Sequence, residues 1–156
     1  MSVRTVIDIH SKGDYPSGAL SNFAAYEFAV DGVECFSMEG FLQSLKFRSS
    51  AKQKRVCKLV GSQAKKSSRH TFSQLRWRIT KTLYWQGKKI NRFSEEYQEL
   101  LDRAYDELGK NEKFKEALIA SCGSELIHSI GESNESKTVL TEREFISRLE
   151  RLRNAI

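Results

Sequence analysis

Three polar side chains early in the chain are spaced to act together. In the run Ser37-Met-Glu39-Gly-Phe-Leu-Gln43-Ser-Leu-Lys46-Phe47, Glu39, Gln43 and Lys46 stand at i, i+4 and i+7, on one face if the run is helical. A carboxylate in such a set serves as general base or as a counter-charge to a developing cation. A lysine serves in either of two forms: charged, it binds phosphate or pairs with Glu39; neutral, with its pKa lowered by neighbouring cations, it is a Schiff-base nucleophile. On an open surface the same ladder would be worth only about a few tenths of a kcal/mol. The pattern alone reads as such a solvated stripe, and the turn-like triplet Ser21-Asn22-Phe23 upstream raises the alternative of a site.

Other chemistries lose ground. No Gly-rich phosphate loop and no Gly-x-Ser-x-Gly elbow occurs. His10, His70 and His128 stand far apart and there is no Cys-x-x-Cys pair, so neither a metal site nor a cofactor is expected. Cys35, Cys57 and Cys122 are odd in number and widely spaced, which argues against a disulfide framework and for a reducing, cytoplasmic setting. No apolar run approaches membrane-spanning length, and residues 1–10 show no signal-peptide core.

Charge is unevenly distributed. Residues 40–94 carry fifteen Lys or Arg and no carboxylate, while residues 1–39 and 95–156 are both net acidic. A basic middle facing acidic flanks would partly neutralise them; otherwise it is a surface that attracts phosphate, on a nucleotide or a nucleic acid. Glu39 is the last acid before this stretch. Lys65, Arg69, Arg76, Arg78 and Lys81 are the expected phosphate end of a site.

The elements that position these residues read as mainly α, with a small β-hairpin or sheet near the N-terminus, in a single domain over 1–156. Val3–Ile9 alternates as a strand, and Asp31-Gly32 between two β-like runs marks a tight hairpin. Ser37 caps a helix running to about Phe47, and a second, roughly Ala51 to Val60, closes on Gly61. A short third covers Gln63 to Arg69. The stretch 75–90 is ambiguous, with a possible hairpin around Gln86-Gly87. Tyr97, Leu100, Leu101, Ala104, Tyr105 and Leu108 form one apolar helical stripe capped by Ser94. Asn111 caps a further helix to Ile119, and Thr141 with Glu144 makes a capping box for the last, giving six helices.

Leu20-Ser-Asn-Phe23, the Asp31-Gly32 hairpin and Glu39-x-x-x-Gln43-x-x-Lys46-Phe47 together resemble the NADAR (YbiA-like) family. Gly61-x-x-Ala64-Lys65, Thr82 to Gly87, Ser94 to Leu101, His128-Ser-Ile-Gly131 and Thr138 to Phe145 extend the resemblance along nearly the whole chain. Two departures stand out: the family's His after the Glu is Gly40 here, and its Trp-Gly-x-Gly segment is replaced by Gly131 to Ser136. The resemblance implies an N-glycosidase acting on phosphorylated nucleotide-like molecules, either early riboflavin-pathway intermediates or ADP-ribose on a nucleobase, with ADP-ribosylated DNA a possible partner. It makes Glu39 and Lys46 catalytic, and Ser21, Asn22, Phe23, Gln43, Lys65, Trp85 and His128 substrate-binding. Trp85, Tyr84 or Phe23 would stack on the base. Two alternatives compete: a module that holds ADP-ribose or NAD without turnover, and a basic protein that tracks nucleic-acid phosphates.

Overall fold

The computed structural model describes residues 4–156. Its chain order is β1 (Val6–Asp8), α1 (Ser17–Leu20), β2 (Phe28–Val30), β3 (Val33–Cys35), α2 (Met38–Ser44), α3 (Ser50–Cys57), α4 (Gly61–Lys66), α5 (Phe72–Thr80), β4 (Thr82–Trp85), β5 (Lys88–Asn91), α6 (Glu95–Leu108), α7 (Glu112–Ala120), β6 (Glu125–Ile127) and α8 (Glu142–Asn154). The architecture is mainly α with small β elements, as the sequence pattern implied, and the described residues form three two-stranded sheets rather than one near the N-terminus. Val3, where the first strand was expected to begin, lies outside the described residues.

All six stripe residues of α6 are buried, and the helix is the floor on which β2, β5 and α8 rest. Asp31 and Gly32 (φ 48° and 82°) both take the left-handed conformation that a two-residue hairpin loop demands, and Gln86 and Gly87 (φ 48° and 84°) repeat the device between β4 and β5. The capping box forms in full: Glu144 N–H donates to Thr141 Oγ1 at 3.1 Å, and Thr141 N–H to Glu144 Oε1 at 2.8 Å. β1 pairs in parallel with β6, joining the segment around Ile7 to the one around Leu126.

Three expectations need correction. Gly61 does not close the second helix: α3 already ends at Cys57, and Gly61, with φ 59°, opens α4 instead. The helix from Ser37 leaves α geometry after Ser44, and Leu45, Lys46 and Phe47 continue as a tighter turn with i to i−3 bonds. Eight helices occur among the described residues rather than six. Those not anticipated are α1, a single turn, and α5, where Trp77 is the one buried residue and the apolar stripe that would have announced it faces solvent.

Candidate active site

The site begins at the start of α2. Ser37 Oγ accepts from Gly40 N–H at 3.0 Å and donates to Leu59 O at 2.7 Å, which fastens the helix to the segment after α3. The helix is held close there. A Cβ on Gly40 would lie 2.7 Å from Leu59 O, 2.9 Å from Val56 O and 3.0 Å from Cys57 O. Only glycine fits this approach, so the position that carries His in the resembling family faces α3 and lies off the cavity wall.

The far end of α2 is equally constrained. Gln53 donates to Ser44 O and Phe47 O, Tyr84 N–H donates to Leu45 O, and Arg76 donates to Lys46 O at 3.1 Å. Carbonyls that a helix end leaves free are taken in turn by α3, β4 and α5. Lys46 therefore leaves the helix end in one direction.

What emerges is a cavity of about 360 Å³ whose wall includes Glu39, Gln43 and Lys46. Gln43 Nε2 donates to Glu39 Oε1 at 2.9 Å, Ser68 Oγ donates to Gln43 Oε1 at 2.7 Å, and Lys46 Nζ donates to Ser68 Oγ at 3.3 Å. The carboxylate and amine are thus joined through an amide and a hydroxyl, with no direct ion pair. Burial raises the Glu39 pKa against the opposing effects of the Gln43 hydrogen bond and the Lys46 and Lys65 charges. Burial also lowers the Lys46 pKa to about 8, helped by Arg78 and opposed by Glu39.

The Ser21-Asn22-Phe23 turn forms the facing edge. Glu39 N–H donates to Asn22 O at 3.0 Å, and Tyr105 Oη–H donates to Asn22 Oδ1 at 2.8 Å, which leaves the Asn22 amide N–H groups to point elsewhere. Lys65 Nζ stands 5.8 Å from the Phe23 ring centre, a cation over an aromatic face. His128 closes the third side. Its Nδ1 lies 2.7 Å from Ile9 O, a carbonyl that can only accept, so Nδ1 carries a proton and Nε2 is the ring nitrogen left free for a ligand. The ring packs edge-on against Phe145, and a Cβ on Gly131 would come within 2.6 Å of it.

The cavity brings together Ser21, Asn22, Phe23, Glu39, Gln43, Lys46, Lys65 and His128. Trp85 is not among them. Its Nε1–H donates to Asp31 Oδ2 at 2.9 Å and its ring meets Phe41 edge-on, so it buttresses the hairpin rather than stacking on a ligand. Tyr84 is likewise buried behind the wall, under Arg48 and Arg76. Of the five expected phosphate-end cations only Lys65 lines the cavity. Arg76 is spent on Lys46 O, Lys81 donates to Ser136 O at 2.5 Å, and Arg69 and Arg78 are exposed outside it. Lys137, from the segment 129–140, supplies a cation the sequence reading missed. Ser68, Gln74 and Tyr105 were missed too: the first two lie in turns and a helix without a pattern, and Tyr105 reads as core.

Among the described residues no three His, Cys, Asp or Glu side chains cluster to hold a metal ion. No helix among them is long and apolar enough to cross a membrane. The fold is similar to the NMR structure of the Escherichia coli protein YbiA, with a TM-score of 0.55 over 99% of this chain and 86% of that one at 17% identity. In sequence the chain is 39% identical over 152 residues to an uncharacterized 17.1 kDa protein of the Gp30–rIII intergenic region of Enterobacteria phage T4, covering 96% of this chain and 98% of that protein. The model of the bacteriophage protein GP30.3 family matches residues 14–154, and the chain belongs to that family.

Proposed function

We propose that the protein is an N-glycosidase of the NADAR kind, cleaving the C1′–N bond of a phosphorylated nucleotide-like substrate. The substrate is a riboflavin-pathway riboside or ADP-ribose carried on guanine, free or in nucleic acid. The observation that carries the reading is the hydrogen-bonded Glu39–Gln43–Ser68–Lys46 chain along one cavity wall, half-buried at Glu39 and buried at the other three. The YbiA-like fold supports it.

Breaking C1′–N sends the bonding pair to the base nitrogen and leaves positive charge on C1′ and the ring oxygen. Glu39 offsets that charge and removes a proton from the water whose oxygen then bonds to C1′. The proton taken up by Glu39 passes to the departing base nitrogen, which restores the carboxylate, and the sugar keeps a new hydroxyl at C1′. Lys65 and Lys137 lie where they can hold phosphate, and His128 Nε2 is available to a ribose hydroxyl.

A second route is favoured by one observation, the buried Lys46 amine with its pKa near 8. The neutral amine bonds to C1′ as the C1′–N pair leaves on the base, which takes one proton from the new ammonium. The C1′–O4′ bond then opens to an iminium with O4′ taking a proton from water, and a second water adds at C1′ and releases the sugar. Borohydride reduces such an iminium to a stable amine, so a sugar adduct on Lys46 after borohydride treatment identifies this route.

The test is mass spectrometry of products from riboflavin-pathway nucleotides, NAD and ADP-ribosylated guanine DNA, with wild type beside Glu39→Gln. Base release by wild type, absent from Glu39→Gln and unaltered by EDTA, is the expected result. Tight ADP-ribose or NAD binding without release would make the protein a binding module.

A further inference from the structure

We infer that the exposed edge formed by α4, the turn after it and α5 is a docking surface for single-stranded nucleic acid beside the cavity mouth. It takes from the proposed function only the position of that mouth. Of the fifteen cations between residues 40 and 94, only Lys88 and Arg92 form ion pairs with carboxylates among the described residues. Arg76 and Lys81 are taken up by backbone carbonyls, whereas Lys66, Arg69 and Arg78 have no carboxylate partner among the described residues and are exposed on this edge.

The same edge carries an apolar stripe. Phe72, Leu75 and Ile79, at i, i+3 and i+7, share one face of α5 and are 89%, 54% and 71% exposed. A phenylalanine this exposed, followed three and seven residues on by Leu and Ile, is a patch built for cover. On the opposite side of the helix, Gln74 and Trp77 line the cavity. Arg78 lies four residues after Gln74, between cavity and stripe. One nine-residue helix therefore presents a phosphate-binding cation and an aromatic platform at the rim of the site.

The chemistry selects the occupant. A ligand that supplies repeated phosphates and planar apolar faces is a single strand, whose bases stack on exposed aromatic rings in any sequence. A second copy of this chain would set like charge against like charge. An anionic bilayer would also meet both charge and stripe, but Arg78 lies between stripe and cavity, where a strand seated on the stripe can pass a nucleotide toward the cavity and a bilayer cannot.

The test uses the full chain and a fluorescein-labelled, unmodified single-stranded oligonucleotide of about 16 nucleotides, read by anisotropy from about 50 to about 200 mM salt. The oligonucleotide carries no scissile adduct, so the result stands whatever reaction the cavity performs. Wild type should bind with affinity falling steeply with salt. Phe72→Ala should weaken binding about 5- to 150-fold without changing the salt slope. The double variant Lys66→Ala/Arg69→Ala should flatten that slope by about 1.4, or about 0.7 per contact. All three residues are exposed, so the fold is retained. No binding at the lowest salt, or Phe72→Ala equal to wild type, overturns the inference. So does Phe72-dependent binding to phosphatidylglycerol vesicles with none to the oligonucleotide, which would assign the edge to a membrane.

Discussion

Lys46 gives up its proton near pH 8 in the folded protein, against an ordinary value of 10.5, and this separates its two chemical roles. If the charged form holds substrate, activity falls as pH rises through about 8; if the neutral amine attacks C1′, activity climbs toward that pH. A pH–rate profile beside borohydride trapping distinguishes them. Stability follows its own sign. Between about pH 8 and 10.5 the unfolded chain binds a proton at Lys46 that the folded one has lost, so this group makes the protein more stable as pH rises through that window. Glu39 is raised by burial, so its carboxylate is lost on acidification above the usual glutamate range, and the acid limb of the rate profile should lie there. Glu39→Gln keeps the shape but not the charge. Turnover should fall about 10²- to 10³-fold with binding largely kept, the size of one lost electrostatic contact. Chemical denaturation at neutral pH should show the variant more stable, because a buried charge has been removed. Glu39, Gln43 and Lys46 were legible because i, i+4, i+7 spacing survives the change to a tighter turn at Leu45. Ser68, which links two of them, was not, since a serine in a turn between short helices carries no periodic signal.

At the scale of elements, the contact between α2 and α3 sets where the site faces. Gly40→Ala brings a methyl group against three backbone carbonyls that cannot rotate away, and forcing the helices apart should cost about 1–3 kcal/mol in urea unfolding. Activity should drop with it, since Glu39 moves with the helix. The capping box of α8 is a gentler case: Thr141→Ala should lose about 0.5–2 kcal/mol, read the same way. These elements were readable for distinct reasons. α6 repeats its apolar residues at helical spacing, the hairpin between β2 and β3 carries Asp-Gly where left-handed backbone is needed, and α8 carries its box. By contrast α5 buries only Trp77 and turns Phe72, Leu75 and Ile79 to solvent, so its apolar residues do not report where the core is. Trp85 misled for a different reason. The resemblance makes it a substrate-binding residue that would stack on the base, and its long-range bond to Asp31 and edge-on contact with Phe41 show it to be a support.

Across the whole molecule, the Arg92–Glu144 pair ties the hairpin before α6 to the first turn of α8. Arg92 is fully buried and meets Glu144 through two hydrogen bonds, at 3.1 and 2.6 Å, while its Nε–H donates to Thr138 O at 2.9 Å. Tyr97 donates to Val139 O beside it, so the 138–139 wall of the cavity hangs on this assembly. Removing one partner of such a pair strands the other, and Arg92→Ala should cost about 3–5 kcal/mol in denaturant unfolding and raise KM as the wall loosens. Burial works to raise the Glu144 pKa, but hydrogen bonds from Arg92, Thr141 and Gln98 outweigh it and the net shift is downward. Its stabilising contribution is therefore present above the ordinary glutamate range and lost as pH falls through the folded value. The parallel pairing of β1 with β6 has a consequence in time. His10, just after β1, and His128, just after β6, face the same cavity, and Phe145 of α8 backs it. A ribosome that has made α2 with its glutamate and lysine has still to deliver nearly a hundred residues before that cavity has walls. Nascent chains halted before α8 should hold the α2–α3 and hairpin contacts as protease-resistant local structure yet show no turnover, with activity arriving in a single step as the last helix clears the exit tunnel.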